Sequence, residues 1–514
     1  MQRKSFIHSA LLLTVATFIS KILGSFFRVP LQNIAGNEVL GIYTLVYPVY
    51  MAVLALSVAG IPLALSKLIS DARHNGQEHQ IQEIFKTASI LAIVFGFSSF
   101  FFVVINANFI SDYIGGQHTQ LPLVIVSASL LIAPYMAIYR GFFQGFENMQ
   151  PTAISQIIEQ FVRVGVILIA AIFLAGQGAN SNIIASGVMA GSFISVIAAV
   201  IYLRVLFART NFLPKTNRYS FSLFVIWSKR IIKIAIPFCV GTLTLTLIFF
   251  IDSVTVPNQL LSYGYKREHI TELYGIYGRG LILVQIPVVF AQALVLPLIP
   301  AISSGKSKTN NLIDKSMNYI HLISWPLSIG LFALTVPLNY AFFGDFQESH
   351  VLALTHISAL LMTFSVLTTG IMQGIDRSYH AALTLIGLTL LKVFTNSYFI
   401  EQFGLLGLPA STMVIFSALT VINFYFIYRT TKIQIWKRKY TIFAASSILM
   451  GLSISAPLLF FKINEWSRID ALVYVFCTFV IGVMIYGLFL FLWKAVSTKD
   501  LTKIPLIKKH IPFS

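Results

Sequence analysis

The sequence predicts an all-α, polytopic membrane protein with about 14 transmembrane helices, on the basis of its composition and the lengths of its apolar runs. Of its 514 residues, 57% are hydrophobic and 11% are charged, whereas a soluble domain usually carries about 25% charged residues. The apolar residues form runs of about 20, the length that crosses a bilayer as a helix. Backbone groups in lipid must be paired within their own segment, which favours helices.

Six such runs precede the basic segment at residues 204–233. The first run follows Arg3 and Lys4, as in a signal peptide, but it lacks a small-x-small cleavage site, so we expect an uncleaved helix. The second run contains Pro48, Gly60 and Pro62 and is expected to be kinked. The predicted spans are residues 5–28, 41–66, 86–106, 121–140, 152–174 and 182–203.

Eight further runs follow. They predict spans at residues 234–255, 279–303, 317–341, 351–372, 380–400, 406–428, 440–461 and 470–493. We expect two pseudo-symmetric six-helix lobes, residues 1–230 and 231–439, followed by two extra helices and a basic tail at 440–514.

The formal net charge of +18 could indicate nucleic-acid binding, but the positions of the basic residues favour a membrane topology. Lys and Arg concentrate in alternate loops, above all at residues 204–233, whereas the loops at 107–120 and 342–350 contain neither. Positive charge marks the cytoplasmic side of a membrane protein. We therefore predict a multi-pass protein with both termini in the cytoplasm and no nucleic-acid partner.

A seven-residue motif occurs twice, after the fourth and the tenth predicted spans. Residues 141–147 read GFFQGFE and residues 370–376 read GIMQGID, an offset of 229 that also brings Arg163 onto Lys392. Because six spans separate the copies, both copies have the same orientation, as in transporters with parallel repeats. The glycines suit close helix packing, so packing does not account for the polar members of the motif. These are Gln144, Glu147, Gln373 and Asp376.

A second likeness supports the repeat. Residues 40–43 read LGIY and residues 274–277 read YGIY, where spans two and eight begin.

Basic residues inside apolar spans indicate function, because an ionisable group in lipid costs about 2.5–3.5 kcal/mol on insertion scales. Lys21 and Arg28 are seven residues apart and so lie on one face of the first helix. Snorkelling towards headgroups is an alternative for Arg28 and for Arg279, which begins predicted span eight. Lys392 has no acid four residues away and needs a partner elsewhere or a wet cavity. The candidate substrate-binding residues are Lys21, Arg28, Arg163, Arg279 and Lys392.

Acidic residues are rarer in the spans. Glu159 and Arg163 are four residues apart in span five, a spacing that suits an ion pair on one helix face. The pair could simply neutralise itself, or it could act as a gate. Asp252 lies near the outer end of span seven. Because basic groups prevail, a cavity lined by these residues would suit an anion, above all a phosphate or diphosphate.

No motif indicates an enzyme, and we predict neither a cofactor nor a metal site. Residues 304–307 read SGKS, like the end of a P-loop, but Pro300 stands where that motif needs its first glycine. Cys239 and Cys477 are too far apart to form a CxxC pair. Transport would therefore draw on an ion gradient, the membrane potential or the gradient of the cargo.

Several segments resemble one family. Residues 17–30 (TFISKILGSFFRVP), 41–43 (GIY), 59–67 (AGIPLALSK) and 140–145 (RGFFQG) are similar to the stage V sporulation protein B group. That group belongs to the polysaccharide transporter branch of the multidrug/oligosaccharidyl-lipid/polysaccharide exporter superfamily, to which the MurJ-type lipid II flippases are related.

The resemblance implies two six-helix lobes forming a V around a central cavity that opens alternately to each side of the bacterial cell membrane. It implies a cargo of undecaprenyl-diphosphate-linked sugars, with membrane lipids and possible cell-wall synthesis proteins as further partners. In relatives, basic residues of the first and eighth helices line the cavity, positions matched here by Lys21, Arg28 and, less closely, Arg279.

Two other functions remain open at this point. A cation-coupled multidrug antiporter on the same fold would depend on an acidic residue such as Glu159 or Asp252. A non-transporting membrane scaffold for cell-wall synthesis would depend instead on the basic loop at 204–233.

Overall fold

The protein is built from α-helices, as seen in a computed structural model that describes residues 2–58, 60–210, 219–303 and 309–495. Within these ranges there is no β-strand, as the requirement for internal backbone pairing in lipid predicts. The α-helices are α1 (Gln2–Phe26), α2 (Arg28–Val58), α3 (Ile61–His74), α4 (Glu78–Ile105), α5 (Ala107–Ile114), α6 (Gln120–Ser127), α7 (Ala133–Gly145), α8 (Gln150–Gly176), α9 (Ser181–Ala208), α10 (Phe221–Tyr263), α11 (Arg267–Ser303), α12 (Thr309–Ala333), α13 (Thr335–Phe343), α14 (Ser349–Gly374), α15 (Ser378–Phe403), α16 (Gly407–Thr431), α17 (Arg438–Ser455) and α18 (Arg468–Leu492).

The helices confirm an all-α, polytopic membrane protein. Ten helical segments in the described ranges are long and apolar enough to cross a membrane, or 11 if α12 and α13, which meet at 73°, form one broken span. Two of these segments, Val15–His74 with 60 residues and Ser378–Thr431 with 54, are each long enough for two crossings. The arrangement is therefore compatible with about 14 spans.

The predicted kink in the second span is confirmed. The α2 helix ends at Val58 and α3 begins at Ile61, with Gly60 between them at φ 89°. A Cβ at Gly60 would overlap the carbonyl oxygen of Ala235, so both the backbone conformation and the close approach require glycine.

Predicted span eight, residues 279–303, begins too late. The α11 helix starts at Arg267, so Arg279 lies well inside it. The added segment is polar, but it includes Ile270, Tyr274 and Ile276, which are buried. Burial of these side chains stabilises helix in a stretch that hydropathy alone assigns to a loop.

The chain divides into two compact units. Unit 1 comprises Met1–Ile282 and Asp376–Ile415, and unit 2 comprises Leu283–Ile375 and Phe416–Ser514. In unit 1, α8 packs on α1 and α9, α3 packs on α7, and α10 packs on α15; in unit 2, α12 packs on α14 and α17, and α17 packs on α18. The predicted lobe boundaries at residues 230 and 439 stay a prediction. The SGKS segment at 304–307 and the basic tail after 495 lie outside the described residues.

Candidate functional site

The first helix presents one face to α8. Thr17 Oγ1 donates a hydrogen bond to Gln156 Oε1 at 2.9 Å, and a Cβ at Gly24 would lie 3.2 Å from Gln160 Oε1. Lys21 is four residues after Thr17 and three before Gly24, so it lies on the same face of α1. Its side chain is partly buried. The structure therefore places Lys21 on the side of α1 that faces α8.

Arg28 continues this face beyond α1. Phe27 is a turn between α1 and α2, but its amide donates to Leu23 O at 3.3 Å and its carbonyl accepts from the Leu31 amide at 3.0 Å. These bonds carry the helical path past Phe27, and the chain breaks only at Gly36, which has φ 83°. The Arg28 guanidinium lies 5.2 Å from the centre of the Tyr43 ring. Its Nε is buried and has no hydrogen-bond partner among the described residues.

The facing surface of α8 is a polar stripe centred on Glu159. This carboxylate accepts hydrogen bonds from Arg163 at 2.5 Å and from Arg140 of α7 at 2.9 Å. Arg140 also donates from Nε to Ser155 Oγ at 3.0 Å. All three charged side chains are nearly buried. Arg163 Nε has no acceptor among the described residues.

Three tyrosines of α2 line the same region. The Tyr43 and Tyr47 rings stack with centres 5.0 Å apart, and the Tyr47 and Tyr50 rings lie 5.9 Å apart. Phe27 meets Tyr43 edge to face at 5.5 Å. Arg28 and Arg163 both interact electrostatically with Tyr43. We call Lys21, Arg28, Arg140, Glu159, Arg163 and these tyrosines the basic cluster of unit 1.

The basic cluster carries a net positive charge. Four cationic side chains accompany Glu159, whose two oxygens are already bound by arginines. Arg28 and Arg163 each retain a buried N–H donor that needs an acceptor, and an unmet buried donor costs about 1–3 kcal/mol. An anion with several acceptor oxygens would meet this need.

Arg279 is not a snorkelling residue. Its side chain is completely buried within α11, and its Nε donates to Asn37 Oδ1 of α2 at 3.0 Å. Asn37 also accepts from Gln32 Nε2 at 3.0 Å. The snorkelling alternative for Arg279 is wrong because α11 begins at Arg267 and packs against α2.

The two LGIY-like segments contact each other. A Cβ on Gly41 would overlap the carbonyl oxygen of Thr271, and one on Gly275 would overlap that of Asn37. A Cβ on Gly278 would lie 2.7 Å from Thr44 Oγ1. The α2 and α11 helices thus cross backbone to backbone, in the manner of small-residue helix contacts in membranes.

Lys392 finds its partner on another helix. Its Nζ lies 3.1 Å from Asp252 Oδ1 of α10 and donates to Thr412 Oγ1 at 2.9 Å. Asn396 Nδ2 donates to the same Asp252 oxygen at 2.8 Å, and Ser411 donates to Asn396 Oδ1 at 2.6 Å. Both members of the ion pair are fully shielded from solvent. Arg163 and Lys392, equivalent in the sequence repeat, are therefore both buried cations bound to a carboxylate.

The glycines of the repeated motif pack helices, as expected. A Cβ on Gly141 would lie 2.7 Å from Pro62 O of α3, and one on Gly145 would lie 2.7 Å from Ile69 Cβ. In unit 2, Gly370 approaches Val295 and Gly374 approaches Ile302, both on α11. Each copy therefore closes one helix pair through the same two glycine positions.

The acidic residue of each copy lies just past the end of a helix. Glu147 follows α7 with φ 60°, and Asp376 follows α14 with φ 62°. Both stand in the left-handed conformation, which commonly ends helices. Gln144 donates weakly to Thr152 Oγ1 at 3.5 Å. The structure therefore gives the repeated acids a place in helix termination. Gln144 lies on α7, the helix that also contributes an arginine to the basic cluster, and Gln373 lies on α14.

Sequence reasoning missed three parts of the cluster. Arg140 ends predicted span four and is not among the candidate cations, but it lies in α7 and binds Glu159. Gln156 and Gln160 complete the polar stripe of α8, and their spacing from Glu159 and Arg163 could have identified it. The tyrosines carried no such signal because aromatic residues are common in apolar spans.

Comparison with known proteins adds the family. Residues 6–306, more than half of the chain, match the family described as polysaccharide biosynthesis protein. The lipid II flippase MurJ of Bacillus subtilis (strain 168) is 26% identical over 486 residues, covering 88% of this chain and 87% of the relative. Stage V sporulation protein B of the same organism is 22% identical over 535 residues, covering 99% and 100%.

A solved structure shares the fold. The structure titled lipid II flippase MurJ, inward closed conformation, superposes with a TM-score of 0.65 at 16% identity, covering 93% of this chain and 98% of that one. The resemblance predicted from residues 17–30 and the later motifs is confirmed by these matches. The chain belongs to the polysaccharide biosynthesis protein family and has the fold of a membrane flippase.

Proposed function

We propose that the protein moves a lipid-linked oligosaccharide diphosphate from one leaflet of the bacterial cell membrane to the other by alternating access. The observation that carries this proposal is a pair of buried guanidinium N–H donors, on Arg28 and Arg163, in a net positive cluster. Neither donor has an acceptor within the part of the chain that the structure describes. The name of one relative, the lipid II flippase MurJ, supports the same class of cargo.

Diphosphate chemistry suits this cluster. A diphosphate loses its hydration on entering a membrane protein, and arginine replaces water with planar, charge-assisted hydrogen bonds. Lys21 and Arg28 would bind the diphosphate, with Arg163 held by Glu159 beside them. The polyprenyl chain would stay in lipid, because moving its apolar groups out of lipid would cost free energy.

Export of cationic drugs fits less well. A cationic cargo needs an available buried carboxylate. Glu159 is shared by Arg140 and Arg163, and Asp252 is bound to Lys392 and Asn396. Each acid is thus already neutralised by a fixed cation.

In this proposal the other two candidate cations stabilise contacts between helices. Arg279 is bound to Asn37 and Lys392 to Asp252, both in solvent-excluded surroundings. We assign them to holding helices together within unit 1 and not to direct cargo contact. The termini would lie in the cytoplasm, where proteins of cell-wall synthesis could reach the basic loop at 204–233.

The test is translocation by the purified full chain in proteoliposomes. A fluorescent undecaprenyl-diphosphate-linked sugar would be incorporated, and its movement between leaflets would be followed by chemical quenching from outside. Arg28→Gln is expected to lower the initial rate about tenfold to a hundredfold, because a hydrogen bond to a charged group contributes about 1.5–3 kcal/mol. Lys21→Glu is expected to abolish movement, since it places a negative charge beside the cargo.

Lys266→Gln is the matched control, since this exposed lysine lies outside the cluster and loses the same charge. The proposal fails if Arg28→Gln and Lys21→Glu translocate at the wild-type rate. It also fails if the protein transports a cationic dye but not the lipid-linked sugar, and if Glu159→Gln abolishes transport of the dye. A scaffold without transport would give no movement of either compound with the wild-type protein.

A further inference from the structure

A groove between α17 and α18 has basic groups at one end and apolar groups along its floor. Its volume is about 420 Å³, within the range of small-molecule sites. The lining residues are Arg438, Thr441, Ile442, Ala445, Leu492, Trp493 and Lys494. All of them belong to unit 2, so the groove is complete within one compact unit.

The lining lies at one membrane interface. Both helices qualify as membrane spans; Arg438 begins α17, and α18 ends at Leu492. The start of one span and the end of its antiparallel neighbour share a side of the bilayer. Trp493, directly after α18, is a residue type that favours the headgroup level.

The groove changes from polar to apolar along α17. Residues 438, 441, 442 and 445 follow the helical spacing of one face. Arg438 and Thr441 come first, and Ile442 and Ala445 lie deeper along the span. Thr441 is held by a hydrogen bond from Trp436 Nε1 to its Oγ1 at 2.9 Å. This order, from polar to apolar residues, matches an amphiphile whose polar head lies at the interface and whose tail lies deeper in the membrane.

The neighbouring lysines are engaged elsewhere. Lys437 forms an ion pair with Asp314 at 2.8 Å, and Lys439 lies 5.6 Å from the Tyr440 ring centre. Arg438, between them, is the basic residue of this run that lines the groove, where it meets Lys494 from the other helix. Lys494 stands at φ 53°, a left-handed conformation that turns the chain at the end of α18.

We propose that this groove is a binding site for an anionic glycerophospholipid of the surrounding membrane. Arg438 and Lys494 bind the headgroup phosphate, and Ile442, Ala445 and Leu492 contact the first carbons of an acyl chain. Basic pockets between spans recognise anionic headgroups in this way. The groove belongs to unit 2 and the basic cluster to unit 1, so the two sites share no residue and this proposal does not rest on the transport proposal.

Native mass spectrometry of the purified full chain tests the site. Phosphatidylglycerol and phosphatidylcholine would be offered in equal amounts, and the retained lipid would be counted per protein. We expect a preference for phosphatidylglycerol of about 25-fold in the wild type, since each basic side chain at a membrane surface contributes about fivefold. The double variant R438Q/K494Q should lose that preference.

Two further variants make the result specific. K266Q/K462Q removes the same charge at exposed positions outside the groove and should keep the preference. Ala445→Trp fills the floor of the groove with every charge intact and should also release the lipid. The proposal is overturned if the wild type shows no preference, if both double variants lose it equally, or if Ala445→Trp retains it. Displacement of phosphatidylglycerol by millimolar inorganic phosphate would equally overturn it, because it would indicate a free-anion site.

Discussion

Lys392 and Asp252 form an ion pair from which solvent is fully excluded. Desolvation of two charges is costly, and the pair is tolerated because Asn396 and Thr412 supply further hydrogen bonds. Removing one partner leaves the other charge buried without compensation. Removing one partner should therefore cost more stability than replacing both, and this difference can be measured.

Lys392→Met is expected to lower the free energy of unfolding by about 3–5 kcal/mol, the usual loss when one member of a buried pair is removed. Thermal unfolding in detergent would measure the change. Lys315→Met, at an exposed position on α12, should be nearly neutral. The double variant D252N/K392M should recover most of the lost stability. Equal losses in the single and double variants would contradict the role of the ion pair.

The repeated acids illustrate what a pattern leaves open. The motif correctly indicated that Glu147 and Asp376 are equivalent, and the structure gives both nearly the same left-handed φ. Nothing in the sequence distinguished a helix terminus from a polar site, because acids also occur in sites. Only the backbone conformation separates the two interpretations.

The α2 and α11 helices approach each other closely, backbone against backbone. Gly41 and Gly275 meet the opposite backbone with no room for a side chain. Such contacts give favourable packing in lipid, where the hydrophobic effect does not drive helices together.

Gly41→Ala is expected to destabilise the protein by about 1–3 kcal/mol, the usual cost of inserting a methyl group into a filled contact. Gly165→Ala in α8 is the matched control, because a Cβ there meets nothing within 4 Å. Replacing glycine in a helix interior otherwise favours folding, so the control should be neutral or slightly stabilising. Equal melting temperatures for the two variants would contradict the close crossing.

At the scale of the whole molecule, the distribution of Lys and Arg predicts the orientation in the membrane. Residues 107–120 include no Lys or Arg, whereas residues 204–233 include seven. Positive charge is retained on the cytoplasmic side. The orientation can therefore be tested at one position in each of these two segments.

In a background lacking Cys239 and Cys477, His118→Cys should react with a membrane-impermeant maleimide in intact cells. Arg209→Cys should react only after the cells are permeabilised. Gel-shift labelling in the two conditions measures both. The reverse pattern would mean that the protein has the opposite orientation.

Fold class was predictable from sequence because lipid leaves a long apolar run one stable solution, the helix. Helix boundaries were less predictable, as α11 shows: its polar first turns fold because Tyr274 and Ile276 are buried. The candidate cations could be identified because an ionisable group within an apolar span costs free energy in lipid. Their partners were not, because the contacts from Lys392 to Asp252 and from Arg279 to Asn37 cross more than 100 sequence positions and follow no local spacing.

The glycine crossing of α2 and α11 has a mechanical consequence. Interlocked side chains must be withdrawn, and change rotamer, before two helices can part. At the glycine contacts no side chain has to change rotamer. Before α2 and α11 can part there, the hydrogen bond from Arg279 Nε to Asn37 Oδ1 must break. A contact of this kind can be closely packed and still open without rearrangement of side chains at the glycines.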